Sequence, residues 1–302
     1  MRLIVRFAQE HKDSFEIVDV FDEKVERQEV AKEKPLVDSI MTKYPSAIWM
    51  ERKISDEFGI IFNRAFDTRP TIKHERFPKE VFPMRKDFQA KALEYSDFVP
   101  YKYEEIEGEG IFVVPVGPIH AGVIEPGHFQ FSQAGEEILH LEVRHFYKYR
   151  AIEKMVEGKH PREIKPIVER ISGIESIAYQ IALFEILAEA SGVEIPESKK
   201  RHYFALLELE RIIHHLTDLG FIPNDAGFAS ALAFMSKLAE EARRTMHHLT
   251  SHRFGFGAIN EETTLDSDYL NKFVLLLQKE VEFFEKWIEG IPSVWDLSLI
   301  HI

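Results

Sequence analysis

Apolar and polar residues alternate with a period of two in RLIVRF (2–7) and SFEIVDVF (14–21), with charged, turn-like residues between them. With β-branched residues in both runs, this pattern predicts strands within residues 1–30. Residues 35–44 are expected to form a helix and SAIWME (46–51) a further strand, which together make a small α+β unit. Residues 89–110 are charged, aperiodic and punctuated by Gly and Pro, and read as a linker laid over a neighbouring domain. IFVVPV (111–116), FQF (129–131) and EILHLEV (137–143) predict a small antiparallel sheet.

From about residue 150 the period changes to that of helices. Ile174, Ile177, Ala178, Ile181 and Ala182 share one stripe of a helix over 173–191, which Gly192 stops. Pro196 opens a second helix. Its Tyr203, Leu206, Leu207, Leu209, Ile212, Ile213, Leu216 and Leu219 are too apolar all round for a surface helix, and Gly220 is expected to end it. Two more helices are expected at about 225–253 and 265–289. Long, mostly buried helices joined by short loops make a bundle.

The chain has 302 residues, 45% hydrophobic and 29% charged, enough for one large or two ordinary domains. Its formal charge of −13, without clusters of Lys and Arg, argues against a nucleic-acid or anionic-lipid surface. It has no cysteine, which excludes disulfides, thiolate-held zinc, a thiol nucleophile and iron–sulfur clusters ligated by this chain. There is no apolar run of about 18 residues and no export signal at the start, so a soluble chain able to dock on a membrane protein is expected. Leu297–Ile302, LSLIHI, reads as the in-frame translation of a transposon-end adapter used in DNA libraries.

VGPIHAGVIEPGHFQF (116–131), EKMVEGK (153–159) and ERISGIES (169–176) resemble the opening of the large subunit of energy-converting nickel-iron hydrogenases. That subunit shares its fold with the quinone-side large subunit of respiratory complex I. Upstream, residues 51–88 resemble the tail of the small hydrophilic subunit of complex I. Glu51, Arg52, Asp56, Phe58, Gly59, Ile60 and Phe62 match its first signature, and Arg85, Lys86, Asp87 and Phe88 its second. Between them the chain departs from the family and keeps only Asp67 and Arg69. Such a fusion of small and large subunits resembles the formate hydrogenlyase large subunit and the fused forms found in NADH-quinone oxidoreductases. The resemblance implies a domain over 1–88 like the small hydrophilic subunit, a linker over 89–110 and an incomplete domain over 111–296 like the large subunit, with 297–302 as adapter. It also implies an α+β fold ending in the long-helix bundle of the hydrogenase large subunit.

In the hydrogenases the ERISGIES position reads R-[IV]-C-G-x-C, and its two cysteines hold the metal. Here these are Ser172 and Glu175, hard oxygen ligands that cannot replace bridging thiolates, so a nickel–iron site is not expected. Locally, a Ser with a carboxylate three positions on also reads as a capping box. Gly117, Pro118 and His120 match the family G-P-x-H-P, with Ala121 in place of the proline, and His128 corresponds to the second quinone-side histidine. Gly173 stands where complex I has its quinone tyrosine. Asp225 matches the aspartate that pairs with a quinone-side histidine there. A His–carboxylate pair passes protons near neutral pH, although His120 also reads as a satisfied loop histidine and Asp225 as a helix cap.

Glu125, if packed against apolar walls, would have a raised pKa suited to proton relay; a solvated loop position is the alternative. Arg150 and Glu153 match the family H-R-G-x-E-K element, with Tyr149 and Ala151 replacing its histidine and glycine. Arg170 precedes the lost cysteine. Arg211 and His215 match E-L-x-R-x-x-x-H-L and share a helix face expected to be buried, where they would support the cavity and an adjoining subunit. His247, His248 and His252 lack the third ligand and the carboxylate of a metal motif and read as a basic helix end. No nucleotide-binding or Ser/His/Asp signature is present.

The resemblance implies the large subunit of the redox module of a membrane-associated, energy-converting oxidoreductase, peripheral on the cytoplasmic face of the membrane. Its expected partners are a small subunit like the cluster-bearing one of complex I, with a [4Fe-4S] cluster, and membrane subunits related to those of complex I and to antiporters. A quinone is a candidate acceptor. The alternative is a catalytically silent scaffold of such a complex, and a true nickel-iron hydrogenase comes third.

Overall fold

The computed structural model describes residues 1–90, 93–104, 106–120, 125–225, 227–292 and 294. Leu297–Ile302 and Ala121 lie outside them. The chain divides into two compact units, Met1–Met155 and the residues from Val156 onward.

In the first unit, β1 (Leu3–Glu10), β2 (Ser14–Phe21) and β3 (Val25–Ala31) form an antiparallel sheet in that order, as the period-two pattern predicts. Helix α1 (Ala47–Phe58) packs on it. The core contains Phe15, Ile17, Val30, Ile54, Phe58 and Phe62. Two expectations are corrected here. Residues 35–44 do not form a helix: β4 (Leu36–Asp38) pairs in parallel with β5 (Ile61–Asn63), and turns follow it. The buried Glu51 carboxylate accepts from Ser39 Oγ at 2.7 Å and the Ile40 amide at 2.9 Å, pinning this stretch before it can coil. Nor is 46–51 a strand. The buried positions Ala47, Glu51, Ile54 and Phe58 recur at helical spacing, and four of the seven buried residues of α1 are charged rather than apolar.

The second sheet of this unit is β6 (Ile111–Val116), β7 (His128–Ala134) and β8 (Glu137–Arg144), antiparallel throughout, as expected. Its polar face, with Glu142 and Arg144 on β8, holds the segments 67–75 and 101–104. Glu142 accepts from Arg69 (3.1 Å), the Glu104 amide (3.1 Å) and the Tyr101 hydroxyl. Arg144 binds Glu75 and lies 3.9 Å over the Tyr101 ring. A short helix, α2 (Ile152–Val156), follows.

The second unit is helical: α3 (Pro161–Val168), α4 (Ser176–Ser191), α5 (Glu197–Asp225), α6 (Ala229–Thr250) and α7 (Ser267–Glu289). Gly192 ends α4 in the left-handed region, as predicted. Gly220, in contrast, does not end α5, which runs on through Pro223 to Asp225. A Cβ on Gly220 would stand 3.0 Å from Met235 Cβ and 3.2 Å from Leu232 Cα. The glycine is there to let α5 and α6 approach, not to stop the helix. Leu206, Leu209, Ile213 and Leu216 of α5 meet Met235, Leu238 and Met246 of α6 in the core, with Ala231, Ala239 and Ala242 leaving room between the backbones.

Candidate functional site

Each unit carries part of the sequence-predicted set. In the first, Gly117 turns the chain into the loop that bears His120. Its φ is 87°, and a Cβ there would lie 2.1 Å from the Gly127 carbonyl oxygen, so only glycine fits. The Gly127 amide closes the turn on Pro118 O at 3.1 Å. His128, at the start of β7, is buried, with Nδ1 3.3 Å from Gly117 O and its ring 5.2 Å from Tyr103. Its Nε2 has no hydrogen-bond partner among the described residues. His120 is exposed and meets the edge of Phe129 at 5.7 Å. The Gly117 turn thus brings His120 and His128 to one end of β7.

Glu125 does not face apolar walls. It is exposed, between Lys148 (3.3 Å) and Arg150 (3.8 Å), as a solvated and paired carboxylate. Glu153 pairs with Lys53 at 3.1 Å, and Lys53 also reaches the buried Glu57 at 2.7 Å. Tyr149, which stands where the family has histidine, donates to Glu57 at 2.8 Å. Burial pushes the Glu57 carboxyl up, against the attraction of Lys53, and pushes the Tyr149 phenol up as well. Sequence reasoning missed this four-residue network.

The signature that resembles the small complex I subunit proves to be a set of anchors. Glu51 is fully buried and meets Arg6 at 3.2 Å. Arg52 binds Asp67 at 3.1 Å and the carbonyls of Arg69 (2.7 Å) and Pro70 (3.2 Å). Asp67 and Arg69, the two residues kept in the divergent middle, are thus the ones Arg52 holds.

In the second unit, the stretch leading to Ser172 is tied down on both sides. Glu169 is buried and accepts the Gly257 amide at 2.7 Å; Arg170 binds Glu169 and lies 4.1 Å over Phe256. Ser172 is half-buried, and Glu175 is exposed at the N-cap of α4. The capping box expected of this pair is absent: the Glu175 side chain makes no cap bond, and the two residues meet only through a 3.4 Å backbone contact. The amides at the start of α4 are satisfied from α5 instead. Glu210 accepts Ile177 N at 2.7 Å and Ala178 N at 3.1 Å, and His214 donates to the Ile174 carbonyl. Glu210 is buried, and this burial, with the nearby Glu175 charge, pushes its carboxyl up to about 6 against the pull of the two amides.

Arg211 and His215 are exposed, contrary to the buried face expected for them, and Arg211 pairs with Glu208 at 2.6 Å. The buried acid of this helix is Glu210, the unspecified position of the E-L-x-R motif. Asp225 is exposed at the end of α5. It stands eleven residues beyond His214, roughly 16 Å along the helix, so the second unit does not bring it to the Ser172 loop. His248 binds Asp266 at 3.1 Å and stacks on Tyr269, and no three His, Asp or Glu side chains among the described residues form a metal-binding group.

The family described as the respiratory-chain NADH dehydrogenase 30 Kd subunit matches residues 3–94. Formate hydrogenlyase subunit 5 of Escherichia coli (strain K12) is 31% identical over 236 residues, 76% of this chain and 42% of that protein. The chain belongs to the hydrogenase and complex I family. Hydrogenase-4 component G of the same organism is 29% identical over 223 residues, 72% of this chain and 40% of its own length. This chain therefore spans less than half the length of these two relatives. A chain of the membrane-bound sulfane sulfur reductase, an archaeal respiratory membrane complex, shares the fold with a TM-score of 0.53 at 15% identity, covering 62% of this chain and 52% of that one.

The chain's own fold is α+β. The family's nickel–iron centre can be tested against the loop itself. A half-buried hydroxyl at 172 and an exposed carboxylate at 175 offer no thiolate, and the chain has no cysteine to supply one. These residues do not fit the group.

Proposed function

We propose that this chain is the large subunit of the redox module of a membrane-associated, energy-converting oxidoreductase complex. In this reading, electrons pass from a [4Fe-4S] cluster in a partner protein to an acceptor held near the Ser172 loop, and His120 is a candidate for proton work. Reduction there is coupled to ion movement through membrane subunits. A quinone is the candidate acceptor. Among the described residues no helix is long and apolar enough to cross a membrane, which suits a peripheral subunit. One observation carries the reading: the 169–178 stretch is held in place by Glu169, Glu210 and His214, although both metal-binding positions in it have become oxygen ligands. A loop kept in shape without its metal supports a retained cavity with a different acceptor.

Metal analysis and hydrogen-uptake assays on the purified complex test this. Stoichiometric nickel with hydrogen turnover would sink it. The rival, a silent scaffold, draws support from the exposed positions of Asp225 and His215 and the paired Glu125. It predicts that His120→Ala leaves electron transfer through the complex unchanged, whereas the redox reading, in which His120 handles protons, predicts a loss of tenfold or more.

A further inference from the structure

The loop that bears Ser172 and Glu175 is gripped by one helix at two successive turns. Glu210 and His214 are four residues apart on α5, hence on one face. His214 holds the carbonyl of Ile174, just before Glu175, and Glu210 holds the amides of Ile177 and Ala178, just after it. Glu175, the residue standing at a family metal position, lies between the two grips. Neither grip is part of the loop's own sequence: Glu210 is 33 residues away from Ile177 and His214 is 40 away from Ile174.

We propose that Glu210 and His214 are positioning residues that fix the loop 172–175 for the acceptor site, with Glu210 the proton-responsive member of the pair. The proposal rests on the redox reading given above.

The surroundings of Glu210 couple the loop to its proton. From the loop, Glu175 bears on it with a like charge. From α4 it faces the amides of Ile177 and Ala178. On α5 itself, His214 turns to Ile174 and the exposed Arg211 to Glu208. Helix α6 packs with α5 in the core through Ala231, Met235, Leu238, Ala239 and Ala242. An ionised Glu210 is therefore a buried anion opposed by Glu175 and compensated by dipoles alone. The two amides hold its ionised form while burial and Glu175 oppose it, so the closing equilibrium of the loop is linked to the proton at Glu210.

Hydrogen–deuterium exchange of the 172–180 segment in the intact complex, corrected for intrinsic rates, reads this directly. In the wild type, protection is expected to change as pH passes through about 6. Glu210→Gln should flatten that profile, and Glu210→Ala and His214→Ala should each speed exchange of the segment at least tenfold while exchange of α6 stays as it was. Alongside, reduced methyl viologen as donor and ubiquinone-1 as acceptor give the KM and kcat of the same proteins. Glu210→Gln should change the pH dependence of KM for ubiquinone-1. The proposal is overturned if exchange of 172–180 is the same in wild type and Glu210→Ala, or if the wild-type and Glu210→Gln pH profiles coincide. It is overturned equally if exchange responds but KM does not. If the wild-type complex passes no electrons to ubiquinone-1 while exchange follows the expected pattern, the grip stands and the redox reading fails.

Discussion

The Asp56 carboxylate lies 2.8 Å from the amide of Ile72, and the same oxygen accepts the flanking amides of Thr71 at 2.6 Å and Lys73 at 3.3 Å. One side chain of α1 thereby satisfies three successive donors of a segment without regular structure. This explains in physical terms why an aspartate stands there in the signature of the small complex I subunit. Asp56→Ala leaves buried amides without an acceptor and is expected to cost about 2–4 kcal/mol. Urea unfolding of the full chain followed by tryptophan fluorescence measures this; a loss below about 0.5 kcal/mol would refute the anchoring role.

Gly220 is expected to resist even the smallest side chain. Alanine is intrinsically favoured over glycine inside a helix by roughly 1 kcal/mol. At this position its Cβ would press on Met235 and on the Leu232 backbone of α6. Overpacking of this kind costs about 1–3 kcal/mol and offsets or exceeds that preference, so a net destabilisation of up to about 2 kcal/mol is expected for Gly220→Ala. Thermal unfolding decides the sign: a raised Tm would mean that α5 and α6 can move apart freely.

These two positions also show where the sequence can be read and where it cannot. Strand β2 announces itself because Phe15, Ile17 and Phe21 enter the core at spacings of two and four, and β6 and β8 because of their apolar and β-branched runs, although the buried side chains of β8 are Glu142 and Arg144. Helix α1 escapes a hydrophobicity pattern because such a pattern does not count Glu51, Arg52, Asp56 and Glu57, which are buried along with Ile54. Gly220 reads as a stop signal because a sequence does not say whether a glycine is needed for its backbone freedom or for its missing side chain. At the Ser172 loop, the loss of both thiolates is legible from residue identity alone. The grip of Glu210 is not, because its partners are backbone amides 33 residues away and amides carry no sequence signature. The one available signal is a second acid beside Glu208 on a helix otherwise read as buried.

Glu210 gives a pH dependence whose sign follows from its raised carboxyl. With an unfolded value of 4.5 and a folded value of about 6, the folded chain binds the proton more tightly in that interval. The contribution to stability is complete below 4.5 and is lost as pH rises through about 6, on the order of 2 kcal/mol in all. The difference in unfolding free energy between wild type and Glu210→Gln should therefore shift in favour of the wild type as pH is lowered from about 7.5 to 4.5. A difference that is flat with pH, measured by urea titration across this range, would exclude titration of Glu210 in this window.

The network of Lys53, Glu57, Tyr149 and Glu153 makes the last prediction. Lys53 bridges two carboxylates there, at 2.7 Å from Glu57 and 3.1 Å from Glu153, and Glu57 is almost wholly buried. Lys53→Met keeps the length and apolar stem of the side chain but takes this counter-ion from both carboxylates. Removing one partner of a buried pair costs about 3 kcal/mol because it leaves an uncompensated charge, so this loss is expected at about pH 8. The deficit should shrink on acidification. Burial already pushes the Glu57 carboxyl up with Lys53 in place, and without the ammonium it must rise further. The folded mutant then takes up a proton more readily than the unfolded chain, and its stability recovers as pH falls from about 8 towards 5. Tyr149→Phe, which removes only the 2.8 Å hydrogen bond to Glu57, should cost about 1 kcal/mol. A Lys53→Met deficit that is as large at the acid end of this range as at the alkaline end would mean that Lys53 acts through the packing of its stem and not through its charge.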